Sequence, residues 1–321
     1  ELDFSWSKVT ASVPEGHLSV IKPMSDPTLP WLGTLVGVPL LGFWYWVTNQ
    51  YVTQRVLAAK SVDHARWGAL FGGALKLLPI FIMVLPGAMA VSVLPGIDNP
   101  DQVFPALVTQ ILPIGVTGIV LAGLISAIMS SVDSTLNSAS TLIVIDFIKP
   151  SKPNISPRQV AKYGRITTLI IMLVAASWAP MIADFGGLWS YLQQMFAIIV
   201  PPIAVIFLVG IFYPRAGGSA AFITLLSGFA LGIGLFALRR TDLLPEWLHY
   251  TVGVGLMFAV STLIFLVAAR YTQPSEPDRV AELVYQPGMT DPTDMARGWR
   301  DYRLHCLLLI GAMLALVVTF W

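Results

Sequence analysis

The stretch from Leu121 to Ser140 carries small polar side chains inside a long apolar run. Four serines recur every four residues: Ser126, Ser130, Ser134 and Ser138. On a helix they would form one slowly drifting stripe, which Ser131, Asp133 and Asn137 widen. Such oxygens suit a hard cation or a polar solute. The alternative is that each hydroxyl donates to its own helix and allows close packing, as an isolated serine usually does.

Two ionisable side chains, Lys76 and Asp133, lie well inside apolar segments. A charge near the centre of a bilayer costs at least ~2.5–3.5 kcal/mol on insertion scales, so each residue predicts a cavity, a partner or a solute path. The alternative for Lys76 is that its ammonium reaches an interface. For Asp133 the alternative is an ion pair with a basic residue of another helix.

Aromatic rings and amides occur together at two further places. Residues Phe43–Trp46 precede Asn49 and Gln50, and Tyr191 precedes Gln193 and Gln194. Apolar ring faces and fixed amide donors and acceptors are what sugar recognition uses. An aromatic belt at the membrane interface is the alternative.

The composition defines the environment in which these residues must work. Hydrophobic residues make up 55% of the 321, charged residues only 12%, and the mean hydropathy is +0.73. A soluble chain carries about a quarter charged residues, so we predict an all-α polytopic membrane protein. The net charge of +1 gives no indication of a nucleic-acid partner. One cysteine and four scattered histidines provide no metal spacing, and no nucleophile–base pair or phosphate loop indicates an enzyme.

Apolar runs separated by polar segments predict eight spans: residues 31–51, 67–94, 112–148, 166–182, 188–212, 218–238, 248–269 and 304–321. The third span exceeds the ~20 residues that a bilayer requires and must tilt, bend or project into water. Pro39 cannot donate to the carbonyl of Leu35, which predicts a bend or a thinned hydrogen-bond ladder in the first span. A short surface or re-entrant helix is expected within 95–110.

Basic residues orient the spans. The segments 52–66 and 149–165 are rich in Lys and Arg, whereas the segment 95–110 contains acids and no bases. By the positive-inside rule the first two lie in the cytoplasm. The segment 1–30 is then an extracytoplasmic loop and the segment 270–303 a cytoplasmic one. We expect a multi-pass protein of the cell (inner) membrane, with the lipid bilayer as a partner.

Three motifs resemble one family. They are Trp44–Gln50 with Gln54-Arg55, Ser130-Ser131 with Asn137–Thr141, and Tyr191–Gln193 ahead of Pro201-Pro202. In this order they are similar to the sodium/glucose cotransporter branch of the sodium:solute symporter family. The resemblance covers nearly the whole chain.

The resemblance implies an inverted-repeat symporter fold. Residues 31–212 would be the second of two five-helix repeats, and 213–321 three helices that follow it. The chain begins at Glu1 without Met. We therefore expect a first repeat upstream of Glu1, as the missing N-terminal half of the same transporter and a contributor to its sites.

The resemblance also implies site residues and an activity. A sodium site would use the carbonyl of Ala127 and the hydroxyls of Ser130 and Ser131, and a second sodium could use Asp133 and Ser134 with Ser130. Substrate-binding positions would be Tyr45, Trp46, Asn49, Lys76 and Gln193. The implied function is sodium-coupled symport of a sugar, a glucose- or galactose-like hexose or a polyol, with Na+ as the coupling ion. Symport of another small organic solute, or solute sensing without transport, remains open.

Overall fold

The computed structural model describes residues 7–8, 11, 13, 16, 18–26, 29–94, 96–97, 99–185, 187–239, 241, 243–245, 247–276, 280, 284–285 and 298–320. The predicted loops 1–30 and 270–303 therefore lie partly outside the described residues. Within that part of the chain the only strand-like pairing is one isolated bridge, between Lys22 and Pro30.

The described residues form eleven α-helices longer than one turn: α1 (Trp31–Phe43), α2 (Gln50–Leu57), α3 (Val62–Leu75), α4 (Leu85–Val93), α5 (Val103–Gln110), α6 (Ile114–Leu142), α7 (Pro157–Trp178), α8 (Leu188–Phe212), α9 (Gly218–Arg239), α10 (Tyr250–Tyr271) and α11 (Tyr302–Thr319). Three π-helical turns extend or join them: Trp44–Thr48, Ile80–Val84 and Ile143–Ile148. The short helix α5 confirms the helix expected within 95–110.

Eight helical segments of the described residues are long and apolar enough to cross a membrane. Each corresponds to one of the eight predicted spans, so the chain is an all-α polytopic membrane protein. The longest segment, Ile114–Ser151, has 38 residues. At 1.5 Å per residue it is about 57 Å long, against about 30 Å for the hydrocarbon layer. The expectation that this span is too long to cross upright is confirmed.

Two helices begin earlier than hydropathy predicted, because polar caps start them. Ser156 accepts a hydrogen bond from the N–H of Gln159 at 3.4 Å, and its own N–H donates to the Gln159 side chain at 2.8 Å. This capping box, with Pro157 in the first turn, starts α7 nine residues before the predicted Ile166. Ser61 likewise caps α3 through the N–H of His64.

The backbone hydrogen bonds of the first span change from α-helical to π-helical register beyond Pro39. Helix α1 continues through Pro39 to Phe43. The wider turn is at Trp44–Thr48, where the N–H of Asn49 donates to the carbonyl of Trp44 at 3.0 Å. The missing donor at Pro39 thins the hydrogen-bond ladder within α1, and the π-helical turn is a second irregularity that the sequence did not predict. A five-residue register of this kind depends on tertiary packing, and no local residue signals it.

The chain divides into two compact units. Unit 1 contains Met83–Tyr191 together with Glu1–Val13, and unit 2 contains Pro14–Ile82 and Leu192–Trp321. In unit 1, Asp101 Oδ2 accepts a hydrogen bond from the N–H of Leu188 at 3.1 Å at the start of α8.

Close backbone contact joins α1 to α10 in unit 2. A Cβ built on Gly33 would lie 2.6 Å from Thr251 Cβ, and one on Gly37 would lie 2.9 Å from the carbonyl carbon of Thr251. Glycines one turn apart thus let the two helices approach at small-residue positions, as membrane helices often do. The same unit has a core between α8, α9 and α10: Val205, Ala220, Phe265, Ala268 and Ala269.

We expect Gly37→Ala to destabilise the protein, because the Thr251 carbonyl is backbone and cannot rotate away. Overpacking of this kind costs about 1–3 kcal/mol. Gly42→Ala on the same helix is the matched control, since its Cβ would meet nothing within 4 Å. Thermal unfolding in detergent measures both variants. Equal melting temperatures for the two would contradict the close contact.

Candidate functional site: a cation face on α6 and an aromatic–lysine cluster

The hydroxyls of α6 fall into two groups. Six of the eight Ser and Thr between residues 126 and 141 donate to a carbonyl of their own helix at 2.8–3.0 Å: Ser126, Ser134, Thr135, Ser138, Ser140 and Thr141. Ser130 and Ser131 make no such bond with the described residues, and both are exposed. The packing alternative therefore accounts for six hydroxyls and leaves two that can turn toward a ligand.

Ala127, Ser130 and Ser131 lie on successive turns of one exposed stretch of α6. The carbonyls of Ser130 and Ser131 already accept hydroxyl bonds from Ser134 and Thr135, both at 2.9 Å. Hydroxyl and carbonyl oxygens with little net charge suit a monovalent hard cation. Ala127, Ser130 and Ser131 therefore stay the predicted ligands of a sodium ion.

The proposed second cation position contains Asp133 and Ser134. Asp133 is exposed, and it makes no ion pair with the described residues of its unit. The alternative of an ion pair for Asp133 therefore has no support within unit 1. Ser134 is half-buried, and its hydroxyl donates to the Ser130 carbonyl at 2.9 Å. Among the described residues no three His, Cys, Asp or Glu side chains are close enough to hold a metal.

In unit 2, three predicted substrate residues contact one another. The Lys76 ammonium lies 5.4 Å from the centre of the Tyr45 ring, within cation–π range. The Tyr45 and Trp46 rings meet edge to face, with centroids 5.5 Å apart. A Cβ on Gly72 would lie 3.6 Å from the Trp46 indole, so this glycine leaves room for the ring against α3. The structure thus brings Tyr45, Trp46 and Lys76 into one cluster.

Lys76 lies at a break in its span, which sequence reasoning placed inside a continuous helix. Helix α3 ends at Leu75, and the Lys76 N–H is shared between the carbonyls of Gly72 and Gly73 at 3.2 and 3.1 Å. Pro79 has no N–H to donate to the Leu75 carbonyl. The break exposes the Lys76 side chain, which projects from a helix end rather than from a helix surface.

Gln193 is buried on α8, with 8% of its surface exposed, and Gln194 is buried beside it. One turn further on, the Phe196 ring lies 5.2 Å from the Trp44 ring, which directly precedes Tyr45. Packing between α8 and the π-helical turn Trp44–Thr48 therefore links the glutamines to the aromatic residues. A place in an interfacial belt does not fit a pair of buried amides.

Asn49 has a role that sequence reasoning missed. Its side-chain oxygen accepts a hydrogen bond from the Tyr51 N–H at 3.1 Å and caps α2. The signal was available, because Asn is among the best N-cap residues and a polar helical stretch follows it. The Asn49 oxygen is thus engaged in the fold, and its amide nitrogen remains for a solute.

The described residues thus form a polytopic helical membrane protein with eight apolar segments. One helix carries an oxygen-bearing face, and an aromatic–lysine cluster lies at the end of another. The sequence of the chain matches the description "Sodium:solute symporter family" over residues 7–228. The chain belongs to the sodium:solute symporter family, as the motifs predicted.

Individual relatives are similar to this chain over most of its length. It is 33% identical over 288 residues to "Sodium/myo-inositol cotransporter 2" of Homo sapiens, covering 80% of this chain and 43% of the relative. It is 31% identical over 313 residues to "Sodium/myo-inositol cotransporter" of Mus musculus, covering 87% of this chain and 44% of the relative. The chain therefore spans less than half the length of these curated relatives.

We expect Ser131→Ala to raise the half-saturating sodium concentration about tenfold, equivalent to about 1.4 kcal/mol, because one unbonded hydroxyl ligand is lost. Ser126→Ala is the matched control, since it removes a hydroxyl that is already bonded to the Ala122 carbonyl. Sodium-induced changes in tryptophan fluorescence of the purified protein would measure both. An equal shift in the two variants would count against the cation face.

Proposed function

We propose that this protein is a sodium-coupled symporter that moves a sugar or polyol across the membrane by alternating access. The observation that carries the proposal is the pair Ser130 and Ser131, whose hydroxyls donate to no described residue of the chain although they lie on an apolar helix. Buried or membrane-embedded hydroxyls normally find a partner. A sodium ion with Ala127, Ser130 and Ser131 as ligands provides that partner.

The substrate class in this proposal is a polyhydroxylated ring such as a hexose or an inositol. Tyr45 and Trp46 offer apolar ring faces, and Lys76 offers three donors beside them. The buried amide of Gln193 would add both a donor and an acceptor. The relatives named above are myo-inositol cotransporters, which supports a polyol within this class.

Sodium entry supplies the driving force in the proposed cycle. A positive charge moving down the membrane potential releases ~2.3 kcal/mol per 100 mV, before any concentration gradient is counted. Sodium on α6 would stabilise the outward-open state, and substrate would then bind at the aromatic–lysine cluster. A second ion at Asp133 and Ser134 would double the electrical term.

The architecture and location belong to the same proposal. Residues 31–212 would form the second inverted repeat and 213–321 the helices after it, with the protein in the cell (inner) membrane and segments 149–165 and 270–303 in the cytoplasm. The relatives' names describe cotransporters, and we propose that this protein is not an enzyme. Symport of another small organic solute is the second candidate, favoured if Lys76 pairs with a carboxylate rather than a hydroxyl.

Proteoliposomes containing the full-length protein test the proposal directly. We expect uptake of labelled myo-inositol or glucose to require an inward sodium gradient and to rise when the interior is made negative. Replacing sodium with choline should abolish concentrative uptake. Unchanged uptake without sodium would refute coupling, and substrate binding without counterflow would indicate a sensor.

A change at Lys76 separates substrate binding from sodium binding. We expect Lys76→Met to raise the half-saturating substrate concentration about 10- to 100-fold, because a charge-assisted hydrogen bond contributes about 1.5–3 kcal/mol. Lys76→Arg should retain more affinity, since it keeps the cation over Tyr45. Half-saturating sodium, measured without substrate, should stay within about twofold in both variants. A loss confined to sodium affinity would contradict the assignment.

A further inference from the structure

A groove within unit 1 runs between the C-terminal half of α6 and the N-terminal half of α7. Its volume is about 480 Å³, and its wall carries polar and apolar groups together. The polar residues include Arg165, Asn137, Ser140 and Thr168, and the apolar ones include Leu169 and Met172. Leu169 and Met172 are 51% and 44% exposed, so the apolar side of the groove is open.

Arg165 lines the groove and belongs to a strongly basic segment of the chain. Five cationic residues lie between residues 147 and 183, and no acid does: Lys149, Lys152, Arg158, Lys162 and Arg165. The nearest acid is Asp146, in the π-helical turn before them. Arg165 makes no hydrogen bond or ion pair with the described residues of its unit. Its guanidinium is therefore available to an anion.

The polar part of the groove adds neutral donors to this charge. The Ser140 hydroxyl donates to the Asn137 carbonyl and the Thr141 hydroxyl to the same oxygen, at 3.0 and 2.8 Å. Both bonds use the backbone carbonyl of Asn137 and do not involve its side-chain amide. Thr168 lines the same groove. The Arg165 guanidinium with the Asn137 side-chain amide is a donor set that suits phosphate oxygens.

The positions of the polar and apolar lining residues favour a lipid over a free anion. A free phosphate needs only Arg165 and the polar residues near it, whereas Leu169 and Met172 extend the groove with exposed apolar surface along α7. Basic clusters next to the ends of membrane helices attract anionic lipids, at about 1 kcal/mol per Lys or Arg near the surface. We propose that an anionic phospholipid binds here, with its phosphate at Arg165 and an acyl chain along Leu169 and Met172. This inference is independent of the transport proposal.

The experiment uses the full-length protein in lipid nanodiscs and measures the retention of phosphatidylglycerol against phosphatidylcholine of identical chains by native mass spectrometry. We expect a preference for phosphatidylglycerol that falls at least about fivefold in Arg165→Gln. Arg158→Gln is the matched control, because it removes the same charge from the same segment but does not line the groove. An equal loss in the two variants would indicate a diffuse field and overturn the site.

A second variant blocks the groove without altering charge. Gly164 lines it, and a Cβ there would meet nothing within 4 Å, so Gly164→Leu fills open space rather than clashing. We expect this variant to unfold at or above the wild-type temperature and to lose the preference. Retention of phosphatidylglycerol in Gly164→Leu, or its displacement by millimolar inorganic phosphate, would overturn the proposal.

Discussion

Polar groups inside a hydrocarbon layer must find partners, because no water is present to bond them. On α6 this requirement separates hydroxyls that look equivalent in the sequence. The Ser126 and Ser138 hydroxyls donate to carbonyls of their own helix, so their hydrogen atoms already have a partner. The Ser130 and Ser131 hydroxyls make no such bond with the described residues, although their own carbonyls accept from Ser134 and Thr135. The same constraint thus produces both the packing surface and the candidate cation face.

The aromatic–lysine cluster depends on the same requirement, applied to the backbone. Continuous α-helices satisfy all their internal carbonyls, whereas the π-helical turn Trp44–Thr48 and the helix end at Lys76 interrupt that pattern. Both interruptions lie in unit 2, and both carry residues of the aromatic–lysine cluster. Irregular backbone at membrane depth is tolerated where it is enclosed by protein or lines a cavity. The contact between Lys76 and Tyr45 brings these two interruptions together.

The sequence predicts what depends on composition and local chemistry. Apolar runs located all eight spans, and three motifs identified the family. Hydropathy placed the start of α7 at Ile166, although the capping signal Ser156-Pro157 was readable. The π-helical turn after α1 and the contact between Lys76 and Tyr45 could not be predicted, because each depends on which distant helix packs there. Ser130 and Ser131 differ from the neighbouring serines in hydrogen bonding because of their side-chain rotamers, which the spacing of residues in the sequence does not specify.

The close contact of Gly33 and Gly37 with Thr251 has a consequence for movement. Gly33 lies against the Thr251 side chain and Gly37, one turn further, against the Thr251 backbone, so α1 cannot tilt or rotate against α10 without separating from it. The π-helical turn Trp44–Thr48 follows α1 directly, so movement of α2 relative to α10 can take place within its five residues. Converting that turn to α-helical geometry would rotate α2, which begins at Gln50, by about 100°, the angle of one helical residue, while α1 stayed in place. The turn is thereby a local pivot between a fixed helix and the helix that follows it.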